Sequence, residues 1–345
     1  MQTSPNIDAL ITTLRCGKAD YIPIAELGVH PSIKARLLGH PVRTLKDDVD
    51  FWHRAGYDYI KLQPLVDFNP AKVGLEGKIT ATADGTALRE WASEGEGVIT
   101  SFADFERYQF PAAADFDYSP FEQVRALLPD GMGVIGQYGD IFTMTWNFMG
   151  LECFSLSLFE QPDLVEAVFE KIGGLVFSRF EYFAKSEVGD MIWYSDDIAY
   201  TEGLLVSPAV LRQHFFPWLQ KIGALAKASN KPFIYHTDGI LYDVFDDILA
   251  CHVDAIHPIE PKAMDIAEVK KTVGDRLAII GNIDVDLLSR GTPEQVRQNV
   301  ILNIEAVGQE GGYCLGSGNS IPDYVRFENY LAMIDTAKEA GRLRQ

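Results

Sequence analysis

The sequence predicts an α/β fold, a TIM or (β/α)₈ barrel, and three observations support that prediction. Eight short apolar runs have the length of buried strands. Most of them are followed by a stretch with helical periodicity, and each ends in polar or acidic residues, as expected where barrel strands present catalytic groups at their C-terminal ends. The runs are residues 22–27, 59–62, 133–137, 191–194, 232–235, 253–257, 277–280 and 312–315.

Helix signals lie between these runs. Thr292 precedes Pro293, and Gln295 stands where it completes a capping box, so a helix is expected to begin there. Ser207 and Pro208 open another helix in the same way. Pro217 falls inside that second helix and is expected to kink or divide it.

The segment 65–130 departs from the strand and helix rhythm and is predicted to be an insertion between the second and third strands. Alternating residues at 74–86, with Asp84 and Gly85 as a turn, predict a β-hairpin within it. Two roles stay open for the insertion: it caps part of the barrel mouth, or it is a surface segment that does not contact the ligand.

Length and charge limit the classes of protein and partner. A chain of 345 residues with 47% hydrophobic composition is expected to form one elaborated barrel domain over residues 1–345. Its 30 Lys and Arg against 49 Asp and Glu give a net charge of −19. Such a chain repels phosphate backbones and anionic lipid surfaces, so neither nucleic acid nor membrane is the expected partner.

The expected location is the cytoplasm. The chain carries no apolar run of about 18 residues and no secretory signal pattern at its start. Its four cysteines lie far apart without a CxxC pair, which favours reduced, buried thiols.

The polar residues at the strand ends predict one site at the barrel mouth. Asp196, Asp197, His236 and Asp238 are the candidate catalytic residues. Tyr138 and Tyr194 would offer flat faces to an aromatic or cobalamin ring, although core packing is the favoured explanation for both. The candidate substrate-binding residues are Glu26, Gln137, Tyr138, Tyr194, Asn282, Asp284, Ser317 and Asn319.

His236 and Asp238 are the most informative pair. In a strand, residues i and i+2 point to the same side, so the imidazole and the carboxylate converge. Glu260 follows at the top of the next strand. One nitrogen and two oxygens suit a catalytic Zn²⁺ with an open fourth position. The alternative is an acid cluster that binds substrate without metal.

The order and spacing of several segments resemble the uroporphyrinogen decarboxylase superfamily, whose members are barrels. The resemblance spans nearly the whole chain, from residues 18–23 onwards. Its main segments are residues 196–198, 204–208, 215–217, 236–239, 281–284 and 311–322.

This superfamily implies one of two chemistries. True uroporphyrinogen decarboxylases carry an Arg-Gln-Ala-Gly-Arg pattern after the first strand, which residues 28–36 lack, although Lys34 and Arg36 lie there. Zinc methyltransferases of the superfamily carry His-x-Cys on strand five, where this chain has His236 and Asp238. The related methionine synthases add a glutamate that matches Glu260. Replacing thiolate by carboxylate leaves a harder metal site, better suited to polarising an oxygen.

The sequence therefore predicts a methyltransferase that moves a methyl group from a small methylated compound, such as a methoxy compound, to a corrinoid carried by a partner protein. Three alternatives stay open: a decarboxylase of a tetrapyrrole or small acid, a lyase or hydrolase of a small organic acid, and a non-catalytic corrinoid or porphyrin binder. A homodimer is compatible with the resemblance, but no surface feature of the sequence requires one.

Overall fold

The computed structural model describes residues 4–68, 78–81, 88–91 and 97–341. Its centre is a curled, seven-stranded parallel sheet in the strand order β1-β4-β5-β8-β9-β10-β11. The strands are β1 (Tyr59–Leu62), β2 (Lys78–Ala81), β3 (Leu88–Trp91), β4 (Gly133–Gly139), β5 (Met191–Ser195), β6 (Ala199–Tyr200), β7 (Gly203–Leu204), β8 (Phe233–His236), β9 (Ala255–Ile259), β10 (Ala278–Ile283) and β11 (Tyr313–Ser317).

Helices follow most of the sheet strands, as a barrel-like α/β fold requires. They are α1 (Ile7–Leu14), α2 (Pro31–Leu38), α3 (Leu45–Ala55), α4 (Phe102–Arg107), α5 (Ser119–Val124), α6 (Ile141–Met149), α7 (Leu151–Glu160), α8 (Pro162–Lys185), α9 (Pro208–Val210), α10 (Phe216–Ala228), α11 (Phe245–Ala250), α12 (Ile266–Val273), α13 (Val285–Arg290), α14 (Pro293–Val307) and α15 (Phe327–Ala340). Short 3₁₀ turns lie at Ala113–Asp115 and Tyr242–Val244.

Seven of the eight predicted runs are strands of this sheet, and the first, residues 22–27, is not a regular strand. It lies beside β11, where the Ala25 N–H donates to the Leu315 carbonyl and the Leu315 N–H donates to the Pro23 carbonyl, both at 2.9 Å. Ile24 forms a single parallel bridge with Leu315. Because Pro23 has no N–H, it cannot extend this pairing in both directions.

A tyrosine side chain links this irregular segment to the opposite edge of the sheet. The Tyr59 hydroxyl on β1 accepts from the Glu26 N–H and donates to the Glu26 carbonyl, each at 2.8 Å. One phenol thus satisfies both backbone groups of a buried residue, which a neighbouring strand would otherwise do. We call this contact the Tyr59 seam.

The strand ends that form the mouth come close together because of a glycine. A Cβ on Gly139, at the end of β4, would lie 1.7 Å from the Ser195 carbonyl oxygen of β5. Any side chain there would force the two strands apart. Gly139 therefore fixes the spacing between the segments that carry Asp140 and Asp196.

The predicted helix signals are confirmed. Thr292 and Gln295 form a reciprocal capping box at the start of α14. The Ser207 side chain caps α9, and a π turn at Leu211–Phe215 separates α9 from α10. Pro217 lies in the first turn of α10, so the proline marks a divided helix as predicted.

The base of the predicted insertion is anchored by a buried arginine. Arg179 of α8 donates to the Val66 carbonyl at 2.7 Å, and its guanidinium lies 3.9 Å from the Phe116 ring centre and 3.5 Å from that of Tyr138. These contacts attach both ends of the segment to the sheet. Within the segment β2 and β3 pair antiparallel, whereas the Asp84–Gly85 turn lies outside the described residues.

None of the helices in the described ranges combines the length and the apolar character needed to cross a bilayer.

Candidate active site

An imidazole and two carboxylates converge at the mouth of the sheet. Ligand atoms of Asp197, His236 and Asp238 all lie within 4.8 Å of one another. His236 ends β8, Asp238 follows two residues later, and Asp197 follows β5, the neighbouring strand. We call these three residues the Asp-His-Asp group. The predicted convergence of His236 and Asp238 is confirmed.

Asp238 is held on one side and unpaired on the other. Asn319 donates to its Oδ2, while its N–H donates to Asp197 Oδ1 at 2.9 Å. Its Oδ1 is buried, and no described residue forms a hydrogen bond with it. Burial, with the neighbouring charges of Asp197 and Glu260, raises the pKa of Asp238, so its carboxyl tends to hold a proton near neutral pH.

Glu260 lies at the top of β9, as predicted, but outside the Asp-His-Asp group. Its Oε2 accepts the Gly239 N–H at 3.0 Å, and it lies outside the converging group, in which Asp197 takes the place expected for Glu260. Glu260 follows β9, which shifts register against β10, so its position was not set by simple strand alternation. It lines a second cavity of about 310 Å³ together with Asp284 and Asn319.

Asp196 stabilises the backbone at the mouth of the sheet. It is 1% exposed and accepts the Phe142 N–H at 2.6 Å and the Thr143 N–H at 2.9 Å. It thereby satisfies two free amides in the first turn of α6. The Tyr194 hydroxyl donates to the same carboxylate at 2.6 Å. Tyr194 is fully buried behind Asp196, so its ring offers no face to a ligand.

A second histidine lies behind His236. The Nδ1 atoms of His236 and His257 are 2.7 Å apart, and His236 Nε2 lies 3.6 Å from Asp197 Oδ1. Burial lowers the pKa of His236 to about 3 and that of His257 well below its usual value, so both imidazoles are neutral at pH 7. His257 Nε2 is buried and has no hydrogen-bond partner in the part of the chain that the structure describes.

The Asp-His-Asp group borders a cavity of about 310 Å³. Lys61 of β1 lies in its wall, with its Nζ 3.3 Å from Gln137 Oε1. Gln63 also donates to that oxygen, and the Gln137 amide donates to Ser195 Oγ at 2.9 Å. The described wall of the cavity consists of Leu27, Gly28, Lys61, Gln63, Gln137, Tyr138, Gly139, Asp140, Ser195, Asp196, Asp197, His236 and Ser320.

The remaining predicted residues are dispersed. Gln137 and Tyr138 line the cavity, and the Tyr138 hydroxyl donates to Asp67 at 2.6 Å. Asn282 accepts from Asn303 at 2.9 Å. Asp284 caps α13 and borders the second cavity. Their roles in binding substrate stay predictions.

Glu26 and Ser317 bind each other instead of facing the cavity. The Ser317 N–H and hydroxyl both donate to the Glu26 carboxyl at 2.7 Å. Burial raises the pKa of Glu26 to about 8 in spite of these bonds. The Ser317 hydroxyl also lies 3.1 Å from the Asn319 carbonyl, and Asn319 in turn contacts Asp238. This pair therefore supports the segment that holds Asp238.

The predicted site did not include Lys61 and Gln63, and it gave no role to His257, although that histidine was expected at a strand end. A lysine inside the apolar run 59–62 was a usable signal, because a charged residue within a buried strand is uncommon outside functional sites. His257 ended a predicted strand, as His236 does, and its 21-residue separation from His236 matches one strand-helix-strand repeat.

The Asp-His-Asp group fits a divalent metal. One imidazole and two carboxylates are the donor types of catalytic zinc, and three protein ligands leave a position open. The buried, unpartnered Asp238 Oδ1 is an atom for which the described residues supply no donor. In that arrangement Asp197, His236 and Asp238 would hold the metal, and Glu260 would stay beside it on the Gly239 N–H.

The family assignment rests on the length of the match. The family model for uroporphyrinogen decarboxylase (URO-D) matches residues 38–340. The chain belongs to the URO-D family. The predicted superfamily resemblance is thereby confirmed, although Lys34 and Arg36 do not line the cavity and pair instead with Asp48 and Glu328.

Three relatives show how far this URO-D member has diverged. The uroporphyrinogen decarboxylase of Coxiella burnetii (strain RSA 493 / Nine Mile phase I) is 24% identical over 254 residues, covering 70% of this chain and 68% of the relative. That of Aliivibrio salmonicida is 23% identical, covering 82% of each. A solved methyltransferase from Methanosarcina mazei superposes with a TM-score of 0.69 at 16% identity, covering 96% of this chain and 97% of that one, which shows a shared fold.

Proposed function

We propose that this URO-D family member is a metal-assisted methyltransferase, which moves a methyl group from a small methylated substrate, such as a methoxylated compound, to a corrinoid carried by a partner protein. The observation that supports the proposal most is the Asp-His-Asp group, a set of metal donors beside a cavity sized for a small molecule. Carboxylates in place of thiolates favour a substrate whose reacting atom is oxygen.

A bound divalent metal would supply Lewis-acid polarisation at the leaving oxygen. The chain's own residues supply position and protons. As a metal ligand Asp238 would be ionised. In the metal-free site, burial and neighbouring charge keep a proton on Asp238 near neutral pH, at the mouth where a leaving alkoxide or phenoxide takes one. The bond between the methyl carbon and oxygen breaks and leaves its electron pair on oxygen, while the reduced Co(I) corrinoid acceptor supplies the pair for the new bond to the methyl carbon. The oxygen takes a proton from Asp238 where no metal is bound, and from water where Asp238 is a metal ligand.

Decarboxylation is the second candidate function, because the curated relatives are named uroporphyrinogen decarboxylase. The charge of the cavity argues against their substrate. Among the described residues of its wall, Lys61 is the one cation, and Asp140, Asp196 and Asp197 are acids. A tetrapyrrole with eight carboxylates requires a stronger cationic clamp than this wall provides.

The test is a methyl-transfer assay with free cob(I)alamin as acceptor and a panel of small methoxylated compounds as donors. We expect methylcobalamin to form, and the purified protein to contain stoichiometric metal. The Asp238→Asn variant should lower kcat/KM by about 100-fold or more, in the range of lost acid catalysis. Asp246→Asn, the same change on the exposed first turn of α11, is the matched control.

Two results would overturn the proposal. One is carbon dioxide release from uroporphyrinogen without methyl transfer from any donor, which would establish the decarboxylase. The other is an unchanged rate in Asp238→Asn, which would remove the carboxyl from the chemistry. Metal-free protein with full activity would reject only the metal assistance.

A further inference from the structure

The contact between His236 and His257 restricts where their hydrogens lie. Two nitrogens 2.7 Å apart can share one hydrogen but cannot each carry one. A neutral imidazole carries a single ring hydrogen. If His236 donates from Nδ1, its Nε2 presents a lone pair, and if His257 donates, His236 Nε2 carries the hydrogen.

Each arrangement suits a different state of the Asp-His-Asp group. A metal at this group needs the lone pair of His236 Nε2, which requires that His236 donate its Nδ1 hydrogen to His257. Without metal, a hydrogen on Nε2 faces Asp197 Oδ1, 3.6 Å away. That second arrangement has a negative acceptor close to the hydrogen.

The surroundings of His257 also favour the arrangement described for the metal-free protein, in which His257 donates to His236. Its Nε2 is buried and has no hydrogen-bond partner among the described residues, and its ring packs edge to face with Trp193, with ring centres 5.1 Å apart. A buried N–H without an acceptor is rarer than an unused acceptor. His257 therefore prefers to carry its hydrogen on Nδ1, where His236 accepts it.

We propose that His257 is a positioning residue that sets the tautomer of His236, and that metal binding reverses the hydrogen bond between them. Without metal, His257 donates and His236 carries its hydrogen on Nε2. With metal, the hydrogen between the two Nδ1 atoms belongs to His236, and His257 carries its own on Nε2. The pair holds two ring hydrogens in both states. This inference rests on the metal-assisted form of the proposed function.

The experiment is ¹⁵N NMR of the full chain labelled on histidine, recorded without metal and with added Zn²⁺. Long-range proton–nitrogen correlations identify which ring nitrogen of each residue bears hydrogen, and they need no methyl-transfer activity. We expect the hydrogen of His236 to be on Nε2 in the metal-free protein and on Nδ1 after Zn²⁺ is added, with the opposite change at His257.

Two variants add a binding measurement. His257→Asn keeps an oxygen able to accept near the position of Nδ1, so Zn²⁺ affinity by calorimetry should match or exceed that of the unchanged protein. His257→Phe removes the acceptor, and the affinity should fall by about 10–100-fold, the usual effect of losing the partner of a ligating histidine. Rescue by Asn but not Phe separates positioning from simple packing.

The outcomes separate the inference from the function. Zn²⁺ binding without any change of hydrogen-bearing nitrogen, or equal affinities of the Phe and Asn variants, overturns the inference and leaves methyl transfer intact. Absence of Zn²⁺ binding by the unchanged protein overturns the inference together with metal assistance. If the Phe variant does not fold, the spectra of the unchanged protein and of His257→Asn still decide.

Discussion

The adjacent residues Asp196 and Asp197 should respond in opposite ways to the same substitution. Asp196→Asn replaces one carboxylate oxygen by an NH₂ group that must face at least one of three donors, the Phe142 and Thr143 amides and the Tyr194 hydroxyl. Leaving a buried donor unpaired costs about 1–3 kcal/mol. Because Oδ1 receives the Thr143 N–H alone, the NH₂ group can take that side and leave one donor unpaired, so we expect a loss of about 1–3 kcal/mol in the free energy of unfolding.

Asp197→Asn is the matched variant. The Asp197 side chain is 47% exposed, and an amide oxygen can still accept the Asp238 N–H. Its cost to stability should stay below about 1 kcal/mol, as for most exposed substitutions. Zn²⁺ affinity should nevertheless fall by at least about 10-fold, because an amide is a weaker ligand than a carboxylate.

The assay is urea unfolding followed by tryptophan fluorescence, together with Zn²⁺ calorimetry on the folded variants. We expect a large shift of the unfolding midpoint with retained Zn²⁺ binding for Asp196→Asn, and the reverse for Asp197→Asn. Equal midpoints for the two variants would refute the assignment of Asp196 to the start of α6. Unchanged Zn²⁺ affinity in Asp197→Asn would remove Asp197 from the ligand set.

Three further predictions concern stability. The folded-state pKa of Glu26, about 8, lies above its unfolded value of 4.5, so the free energy of unfolding should fall as pH rises from about 5 to 8. Glu26→Gln should flatten this dependence in denaturant titrations at several pH values. Tyr59→Phe leaves the N–H and carbonyl of Glu26 unpaired, and should cost about 2–3 kcal/mol in urea unfolding, against little for the exposed Tyr200→Phe. A chelator should lower the Tm of metal-loaded protein, since a ligand of the folded state stabilises it; an unchanged Tm would contradict metal binding.

The regular part of the fold was predictable because local patterns determine it. Seven parallel strands are apolar runs, and the caps of α9 and α14 depend on residues within one helical turn. The first run was predicted as a strand since it has the same composition. Its irregular pairing arises from Pro23 and from the Tyr59 hydroxyl, a contact between residues far apart in sequence.

The candidate site was predictable to the level of strand ends, and not to the level of individual oxygens. Alternation placed His236 and Asp238 together because both belong to one extended segment. No local rule says which of Asp196 and Asp197 turns toward a helix and which toward the mouth. Glu260 follows β9, whose pairing with β10 shifts register, so counting along the strand could not place its side chain.

The Tyr59 seam has a mechanical consequence for the whole sheet. Successive strands from β1 to β11 are held by ladders of backbone hydrogen bonds, whereas residues 22–27 reach β1 through a single phenol. Spontaneous opening motions begin where the fewest bonds must break at once. Local opening of the sheet should therefore begin at the Tyr59 seam. The amide of Glu26 should exchange with deuterated water sooner than the amides within β5.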